Sequence, residues 1–449
     1  MIFIPYLLSC LLGCLLFRML AGKETTNVFL SSILSLGLGL GLSSHLTFYS
    51  YVIFDNLNKT FVIAAHLILI AILFFLNRSS FHKPSFNFSF YKNPRAWLAI
   101  AVFITILIPL WMQARFYPFG GWDAWSCWNL KAKFLFLGNE EWKNIFDPAL
   151  WRASPHYPLL LPLMSVWGWI FTKTPTYSVP LTNALIFTLL TAGLLFSALK
   201  IYSNTLLATI STLLIVTLPF FVKLAVSQYS DVVLSFYLFA ALFCLFLSYT
   251  NENKKFILLS GLFLGFLTFT KPEGTVAGIL LVLSSFIYLF LEKRKSKNLR
   301  KTFLIYFFIG IFMSILPTVL FQILYAPANQ TFINGFTSLT HPITHSRIKI
   351  TSMFFLIEPI SDKWHGIWIL LLGGLFLTKG KCLERDTRIF PMFLLIYLGV
   401  IFAYYLLNTY FEISWWLSVT FNRILFSLLP IVLFWVFYSL DKAAPKAKT

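Results

Sequence analysis

Long apolar runs recur along most of this chain, and they constrain its fold more than any other feature. A bilayer core about 30 Å thick needs roughly 20 helical residues for each crossing, and about thirteen runs approach that length. The sequence therefore predicts an all-α fold, a polytopic transmembrane bundle of about 13 spans. The runs lie near residues 1–17, 28–50, 60–76, 96–114, 181–200, 205–222, 233–250, 256–270, 275–291, 302–325, 364–378, 389–408 and 421–440.

The charge balance of the chain is strongly positive, with 35 Lys and Arg residues, 16 Asp and Glu residues and a net charge of +19. On a soluble protein this excess would indicate a nucleic-acid partner. Only 11% of the residues are charged and 58% are hydrophobic, which excludes an ordinary soluble domain. Short loops rich in Lys and Arg instead orient membrane helices, because such loops stay in the cytoplasm. We therefore expect no nucleic-acid partner, and we assign loops 77–95, 293–301 and 379–388 and the tail 442–448 to the cytoplasm.

This orientation requires that residues 115–180 stay wholly outside. Within them, 158–171 is apolar, and Trp151, Trp167 and Trp169 are of a type that favours the headgroup boundary. We expect an interfacial helix here rather than a span, since a span would place basic loops on opposite sides. Function is expected on the outer segments. The other outer segments are 227–231, 271–274, 326–362 and 409–420.

The order of the runs divides the chain into three segments. Residues 1–95 form an N-terminal three-span addition, residues 96–325 form a transmembrane core that carries the outer loop 115–180, and residues 326–449 hold a second outer loop and the C-terminal spans. The five cysteines lie mostly in apolar runs without metal-ligand spacing, so they predict no disulfide framework.

Four acidic residues lie at the expected outer boundary among aromatic side chains, namely Asp123, Asp231, Glu273 and Glu412. A carboxylate close to hydrocarbon is costly, so we expect it to be functional or paired. Two alternatives stay open. Asp123 and Asp231 each precede a predicted helix, where either could act only as a helix cap. Glu273 follows Lys271 in a tight turn, where the two could form a local ion pair that neutralises both charges.

The surroundings of Asp123 favour a functional role over a cap. Two consecutive glycines precede it, and they allow a backbone or a ligand to approach closely. Trp122 and Trp125 flank it and would contribute to an apolar wall. Apolar residues then recur at helical spacing, which predicts a short helix on the membrane surface. The residues at this spacing are Trp125, Trp128, Ala132 and Leu135.

Basic residues on the outer segments indicate a possible anionic ligand. Each of them could instead reach lipid phosphate by extending its side chain to the headgroups. For a specific phosphate, Arg offers a bidentate fork and Lys a point charge. The candidates are His341, His345, Arg347 and Lys349 in the loop 326–362 and Arg423 at the start of the last run.

These features together resemble the GT-C membrane glycosyltransferases. The shared pattern is an acid in the first large outer loop, the segment Ser154-Pro155-His156-Tyr157-Pro158-Leu159, a second acid before a later span, and a Thr270-Lys271 turn. The nearest likeness is to bacterial members related to protein O-mannosyltransferases and aminoarabinose transferases. The resemblance covers roughly residues 96–290 and the Arg423 segment, so 96–325 would be the catalytic core.

The resemblance implies a polyprenyl-phosphate sugar donor and an inverting transfer to a hydroxyl group. Asp123 would be the general base, and Asp231 would orient the surroundings of Asp123 or the acceptor. Asp123 is followed by Ala124 rather than by a second acid, so we expect no cofactor and do not favour a divalent metal. The residues that would bind substrate are Lys271, Arg423 and Arg347 around the phosphate, with Glu273, His156, Tyr157, Trp122 and Trp125 lining the cavity.

Other functions are compatible with the same topology. A transporter or flippase of lipid-linked sugars also has many spans, but it should show internal repeats or broken helices near mid-membrane. A polymerase or ligase of lipid-linked oligosaccharides would share the polyprenyl substrates. The acceptor is open among lipid, glycan and protein. We expect an integral protein of the bacterial inner membrane, in contact with membrane lipid, whose active site faces outside.

Overall fold

The computed structural model describes residues 2–21, 27–78, 94–291, 297–336 and 343–445. Over these ranges the chain is helical and contains no β-strand. The α-helices are α1 (Ile4–Ala21), α2 (Val28–Phe54), α3 (Lys59–Asn77), α4 (Pro94–Phe116), α5 (Asn129–Leu137), α6 (Leu160–Thr172), α7 (Ser178–Tyr202), α8 (Thr205–Val216), α9 (Pro219–Val226), α10 (Ser230–Asn251), α11 (Lys254–Thr268), α12 (Pro272–Leu291), α13 (Lys297–Leu324), α14 (Gln330–Gly335), α15 (His345–Ile357), α16 (Ile367–Leu377), α17 (Ile389–Leu407) and α18 (Ile413–Ala443).

Many of these helices are suited to a bilayer. In the described ranges, nine are long and apolar enough to cross a membrane, and α8 with α9 makes a tenth if the pair is one bent span. The two halves of that pair meet at 67°, with Pro219 in the first turn of α9, where proline is tolerated. The all-α, multi-pass membrane fold is confirmed, whereas the count of 13 spans stays a prediction.

Helix α10 forms the centre of the bundle. Its residues from Ser230 to Tyr249 are all buried, as expected for a helix that is apolar on every side. Helices α7, α11 and α18 pack around it. The Tyr237 hydroxyl donates a hydrogen bond to the Gly37 carbonyl of α2 at 2.9 Å, and Ser260 of α11 donates to the Ala241 carbonyl at 2.7 Å. This packing fixes the first turn of α10, which carries Asp231.

The first segment of the chain packs directly on the outer loop 115–180. Ser44 donates a hydrogen bond to the Leu160 carbonyl at 2.9 Å, and the Tyr51 hydroxyl donates to the Leu135 carbonyl at 2.6 Å. The indole of Trp142 donates to the Asp55 carbonyl at 2.6 Å. Helix α2 and the turn after it therefore contact the loop that carries Asp123, and the division at residue 95 stays a prediction.

Helix α6 differs from the interfacial helix expected over 158–171. Its residues Leu160 to Ile170 are all buried, because α1, α2, α5 and α7 cover it. Trp167 donates to the Pro5 carbonyl and to Ser9 Oγ at 3.1 Å each, and the Trp169 indole donates to the Thr176 carbonyl at 2.9 Å. These two tryptophans belong to the protein core rather than to the headgroup boundary. With 13 residues the helix is about 20 Å long, too short for a crossing.

Candidate functional site

Five charged side chains form an alternating row where the starts of α10 and α12 meet the N-terminal half of α18 and the outer loop. We call the set Asp123, Arg423, Asp231, Lys271 and Glu273 the charge row. Arg423 Nη1 lies 2.6 Å from Asp123 Oδ2, and its Nη2 lies 2.6 Å from Asp231 Oδ2. Lys271 Nζ lies 2.8 Å from Asp231 Oδ1 and 3.3 Å from Glu273 Oε1. Residues separated by up to 300 positions in the sequence thus share one network.

Asp231 is the centre of the row and is only 1% exposed. It lies in the first turn of α10, whose N-cap is Tyr229, and it makes no capping contact. Its carboxylate instead accepts hydrogen bonds from Lys271 Nζ at 2.8 Å and from Arg423 Nε and Nη2 at 2.9 and 2.6 Å. Charge-assisted hydrogen bonds are the strong kind, and here they offset the cost of burying the carboxylate.

Asp123 reaches the row because the two preceding glycines let two loops meet. Gly120 has a φ of +74°, and the Gly121 amide donates to the Ser227 carbonyl at 3.0 Å. A side chain at Gly121 would collide with the Tyr229 hydroxyl. Asp123 precedes a π-helical turn and makes no capping hydrogen bond. Both acids are therefore placed by the ion pairs rather than by a capping role.

Lys271 takes part in more than the local pair considered for the Thr270-Lys271 turn. It does contact Glu273, but its shorter contact is with Asp231. Burial alone would lower the pKa of Lys271, but the negative charges of Asp231 and Glu273 raise that pKa above its ordinary value. The ammonium is therefore protonated at neutral pH. The second carboxylate oxygen of Glu273, Oε2, is buried and has no hydrogen-bond partner.

Arg423 is held on α18, and Glu412 fixes the start of that helix. The Glu412 carboxylate accepts from the amides of Ser414 and Trp415 at 2.9 and 2.7 Å, so this fourth outer acid is an N-cap. The Arg423 guanidinium also lies over the Tyr229 ring, with Cζ 4.7 Å from the ring centroid, a cation–π contact. Three different elements therefore hold the guanidinium between two carboxylates.

The row has one open side. The side chains of Asp123 and Glu273 are 30% and 28% exposed, whereas Asp231 is buried between them. Three carboxylates and two cations leave the row with one net negative charge if all five are ionised. A ligand can therefore approach the two outer carboxylates, but it cannot reach Asp231.

The segment His156-Tyr157 lies beside the row and is held by Lys131, a residue that the sequence analysis did not single out. Lys131 is fully buried, and its Nζ donates to the Ser154 carbonyl at 2.6 Å and to the Tyr157 carbonyl at 3.1 Å. Burial lowers the pKa of Lys131 to about 8, although Cys127 acts in the opposite direction. The sequence feature that could have identified Lys131 is its position between Trp128 and Ala132 on an apolar helix.

His156 is neutral in this environment. Burial lowers the pKa of His156 to about 4; the positive charge of Lys131 contributes to the lowering, and the negative charge of Glu273 opposes it. The imidazole lies edge-on to the Tyr157 ring, with the ring centroids 4.8 Å apart. His156 and Glu273 are thus near enough to interact electrostatically.

A second residue missed by the sequence analysis is Gln228, which joins the two loops of the site. Gln228 is 2% exposed and has a φ of +57°. Its side-chain amide donates to the Pro118 carbonyl at 2.8 Å, while its Oε1 accepts from Asn129 at 2.8 Å. No sequence motif marks such a residue, because its role depends on the meeting of two distant loops.

Trp122 and Trp125 are exposed and lie against each other, with ring centroids 4.4 Å apart. The expected surface helix is interrupted by the π-helical turn Ala124–Trp128 before α5 begins. Because a π turn holds one extra residue, Trp125 falls out of register with Trp128, which is buried. The two exposed tryptophans stand next to Asp123 in the sequence.

Arg347 lies outside the charge row. Its Nε donates to the Tyr405 carbonyl at 2.9 Å, and its Nη2 donates to the Asn408 carbonyl. It therefore satisfies carbonyls at the C-terminal end of α17. His345 opens α15, which Thr344 caps, and Lys349 lies on the same helix. His341 falls outside the described residues.

A metal ion would need several ligand side chains close together. In the part of the chain that the structure describes, no three His, Cys, Asp or Glu side chains are grouped in a way that could hold a metal ion. Independence from metal stays a prediction.

Comparison with known proteins gives one match. Residues 162–321 match the dolichyl-phosphate-mannose-protein mannosyltransferase family. This stretch includes Asp231, Lys271 and Glu273, whereas Asp123 and Arg423 lie outside it. No curated protein and no solved structure matches the chain. The family match confirms the predicted resemblance to the GT-C membrane glycosyltransferases over these residues.

Proposed function

We propose that the chain is an inverting glycosyltransferase that moves a sugar from a polyprenyl-phosphate donor to a hydroxyl acceptor. The charge row supports this most strongly, because a partly exposed carboxylate, Asp123, lies beside the guanidinium of Arg423. Transfer from a phosphate leaving group needs one group to take a proton and another to stabilise the departing anion. The row contains both groups within 2.6 Å of each other.

In the proposed step, the acceptor hydroxyl oxygen bonds to the anomeric carbon while the bond from that carbon to the phosphate oxygen breaks. The hydroxyl proton passes to Asp123, and the electron pair leaves with the phosphate. Because a polyprenyl phosphate is a good leaving group, no acid has to protonate it, unlike the two-carboxylate arrangement of glycoside hydrolases. A single displacement of this kind inverts the anomeric configuration.

The two cations of the row are already paired, and this shapes how a donor would bind. Arg423 contacts Asp123 and Asp231, and Lys271 contacts Asp231 and Glu273. We infer that a donor phosphate binds Arg423 or Lys271 by replacing one of these carboxylates, because each cation already contacts two of them. Asp231 is buried and holds both cations, so the exchange takes place at the partly exposed Asp123 or Glu273.

Exchange at Arg423 would couple donor binding to activation of the base. While the Asp123 carboxylate lies 2.6 Å from the Arg423 guanidinium, it is held by that contact and is not placed to accept a proton from an acceptor hydroxyl. Once the donor phosphate takes the place of Asp123 on Arg423, the Asp123 carboxylate is released toward the acceptor hydroxyl. Asp231 would keep both cations in position throughout.

The remaining substrate contacts and the membrane side are also part of the proposal. Trp122 and Trp125 are exposed next to Asp123 and offer an apolar wall for the donor, while His156 and Tyr157 lie near the row and would line the cavity. The basic loops favour an extracytoplasmic site in a bacterial inner membrane. The acceptor is a lipid, glycan or protein hydroxyl.

The test is a transfer assay with purified protein in lipid vesicles. Radiolabelled dolichyl-phosphate mannose and undecaprenyl-phosphate-linked sugars serve as donors, and glycolipid, glycan and protein preparations serve as acceptors. We expect Asp123→Asn to lower transfer by roughly 10²- to 10⁴-fold, the usual contribution of a general base. Glu141→Gln is the matched control, because it neutralises an exposed acid of the same loop outside the row.

Three results would count against the proposal. Full activity of Asp123→Asn would remove Asp123 from the base role. Movement of the lipid-linked sugar across the bilayer without transfer would favour a flippase. Transfer of a whole glycan instead of a single sugar would favour a polymerase or ligase.

A further inference from the structure

One carboxylate oxygen of the charge row takes no part in the ion pairs. Glu273 Oε1 lies 3.3 Å from Lys271 Nζ, whereas Glu273 Oε2 is buried and has no hydrogen-bond partner among the described residues. Buried polar atoms in folded proteins are nearly always paired, because an unpaired one has lost its water without replacement. The Glu273 side chain is also 28% exposed, so a ligand can reach the carboxylate. This combination indicates that a ligand supplies the missing donor.

Tyr397 of α17 provides a second unpaired polar group near Glu273. Its side chain is fully buried, and its hydroxyl has no hydrogen-bond partner within the ranges that the structure describes. Helices α12 and α17 pack against each other, and Tyr397 is close enough to Glu273 and Asp231 to interact electrostatically with both. An unpaired hydroxyl and an unpaired carboxylate oxygen thus lie in the same part of the site.

The position of Tyr397 along its helix agrees with this proximity. Helix α17 ends at Leu407 and α18 begins at Ile413, and Tyr397 and Arg423 each lie ten residues from that connection. At 1.5 Å per residue, each lies about 15 Å from it. The site is therefore recessed between helices. A ligand group that enters it leaves water, so its polar atoms need partners in the protein.

The two unpaired atoms are complementary to one kind of ligand group. An ionised carboxylate oxygen only accepts hydrogen bonds, whereas a phenol hydroxyl can also donate one. A ligand hydroxyl fits both, because it can donate to Glu273 Oε2 and accept from the Tyr397 hydroxyl. A phosphate does not fit, because it offers Glu273 no donor and carries a charge of the same sign.

Aromatic side chains complete the surroundings of Glu273. Tyr157, Tyr404 and Tyr405 all interact electrostatically with its carboxylate. Their rings offer apolar area to the C–H groups of a sugar. Sites for small ligands commonly combine apolar and aromatic walls with a few placed polar groups that fix the orientation of the ligand. The neighbourhood of Glu273 has this composition.

We propose that Glu273 and Tyr397 bind a hydroxyl group of the donor sugar. The hydroxyl donates to Glu273 Oε2 and accepts from the Tyr397 hydroxyl, while the donor phosphate lies at Arg423. Glu273 keeps its contact with Lys271 through Oε1, so it determines specificity and is not a base. This inference rests on the proposed function, because it assigns the position of the sugar within the same site.

The experiment measures donor binding to the full-length protein in lipid nanodiscs, without an acceptor. Undecaprenyl phosphates that carry mannose, glucose, arabinose or N-acetylglucosamine are compared with undecaprenyl methyl phosphate, a phosphodiester of the same charge without a sugar. The readout is the sugar-dependent gain, which is the affinity for the best-bound sugar form divided by that for undecaprenyl methyl phosphate. In wild type we expect a gain of roughly 10- to 100-fold, as for a hydrogen bond to a charged group.

Two variants and one control test the residues. Glu273→Gln should remove most of the gain, because the charged acceptor is lost. Tyr397→Phe should reduce the gain by roughly 3- to 10-fold, as for a neutral hydrogen bond. Tyr438→Phe removes a buried tyrosine at the C-terminal end of α18 from hydrogen bonding and should leave the gain unchanged. Binding of undecaprenyl methyl phosphate shows that each variant is folded.

Several results would overturn the proposal. One is a wild-type protein that binds no sugar form more tightly than undecaprenyl methyl phosphate. Another is a full gain in Glu273→Gln or Tyr397→Phe, which includes an equal loss of affinity for both ligands. Because the assay contains no acceptor, a gain that falls as expected without any transfer would contradict only the proposed function. Transfer that depends on Asp123, with a full gain in both variants, would contradict only this site.

Discussion

Two clusters of charges lie along α18, one in its N-terminal half and one at its C-terminal end, and they differ in burial and origin. In the N-terminal half, Arg423 binds Asp231, which is buried, and Asp123, and these partners come from distant parts of the chain. At the other end, Lys442 binds Glu384 and Asp386, which are partly exposed and belong to one loop. Ion pairs of similar length thus occur in two environments, one buried in the protein and one partly exposed.

This difference determines what each cluster can do. Exposed ion pairs contribute about 0–1 kcal/mol, because water and salt screen them. A buried pair is expensive to break, since removal of one partner leaves an uncompensated charge and costs about 3–5 kcal/mol. The buried cluster is therefore the one able to hold charges in fixed positions for a reaction, and the exposed cluster only fastens a loop to a helix.

The largest expected effect comes from loss of Asp231, the central carboxylate of the buried cluster. Asp231→Asn should destabilise the protein by about 3–5 kcal/mol and abolish transfer, because Lys271 and Arg423 lose their shared partner. Asp386→Asn, its counterpart at the other end, should cost less than about 1 kcal/mol. Thermal unfolding in detergent measures both. Equal losses in the two variants would remove the distinction between the ends.

The next prediction concerns a conservative substitution of the cation in each cluster. Arg423→Lys should lower kcat/KM by roughly 10- to 100-fold, because one ammonium cannot reproduce the contacts of a guanidinium to both Asp123 and Asp231. Lys442→Arg should leave kcat/KM unchanged. Steady-state transfer assays compare the variants with wild type. Near-normal activity of Arg423→Lys would show that the geometry of the guanidinium is not required.

A smaller effect is expected from the buried lysine that supports the site. Lys131→Met should destabilise the protein by about 1–3 kcal/mol, because the carbonyls of Ser154 and Tyr157 lose their donor. Lys133→Met, on the exposed side of the same helix, is the control and should have no effect. Unfolding curves and the KM for the donor report the change. An unchanged Lys131→Met protein would mean that the segment 154–157 is held by other contacts.

The smallest predicted effect is a difference in pH dependence. Burial lowers the pKa of His156 to about 4, below its ordinary value of 6.5, so the unfolded chain takes up this proton first. Stability from this group should therefore fall as the pH drops from 6.5 toward 4. Lys381 and Lys442 lower the pKa of Glu384 to about 2, so its contribution should be lost only below pH 4.5.

The two pH windows can be separated by one substitution at each end. His156→Gln should reduce the slope of stability between pH 6.5 and 4, because one of the groups that titrate differently in the folded and unfolded chain is lost. Glu384→Gln should act only below pH 4.5, and its effect should shrink in 1 M salt because the pair is exposed. Unfolding midpoints measured over this pH range test both. A slope in His156→Gln as steep as that of wild type would show that His156 does not contribute to it.

Much of the fold and the identity of the charged residues could be predicted from the sequence. Apolar runs predict the long helices, and acids next to hydrocarbon stand out because burial is costly, so Asp123 and Asp231 were identifiable. Lys131 and Gln228 were not, because their roles come from carbonyls and loops that meet only in three dimensions. The burial of α6 and the register change at the π turn likewise depend on tertiary packing.

The same limit applies to the partners within the row. The sequence indicated that Lys271 and Glu273 could pair locally, and this contact exists at 3.3 Å. It could not reveal that Asp231 competes for Lys271 at 2.8 Å, since 40 residues separate them. Arg347 looked equivalent to Arg423 in sequence, but the nearest acceptors to its guanidinium are carbonyls of α17.

The central claim is that a donor phosphate and the Asp123 carboxylate compete for Arg423. The most direct test is the affinity of undecaprenyl phosphate for wild type and for Asp123→Asn, with undecaprenol as the control that lacks phosphate. We predict that Asp123→Asn binds undecaprenyl phosphate roughly 3- to 10-fold more tightly, as expected for a freed charge-assisted contact, and binds undecaprenol as wild type does. Equal or weaker binding of undecaprenyl phosphate by Asp123→Asn would contradict the competition.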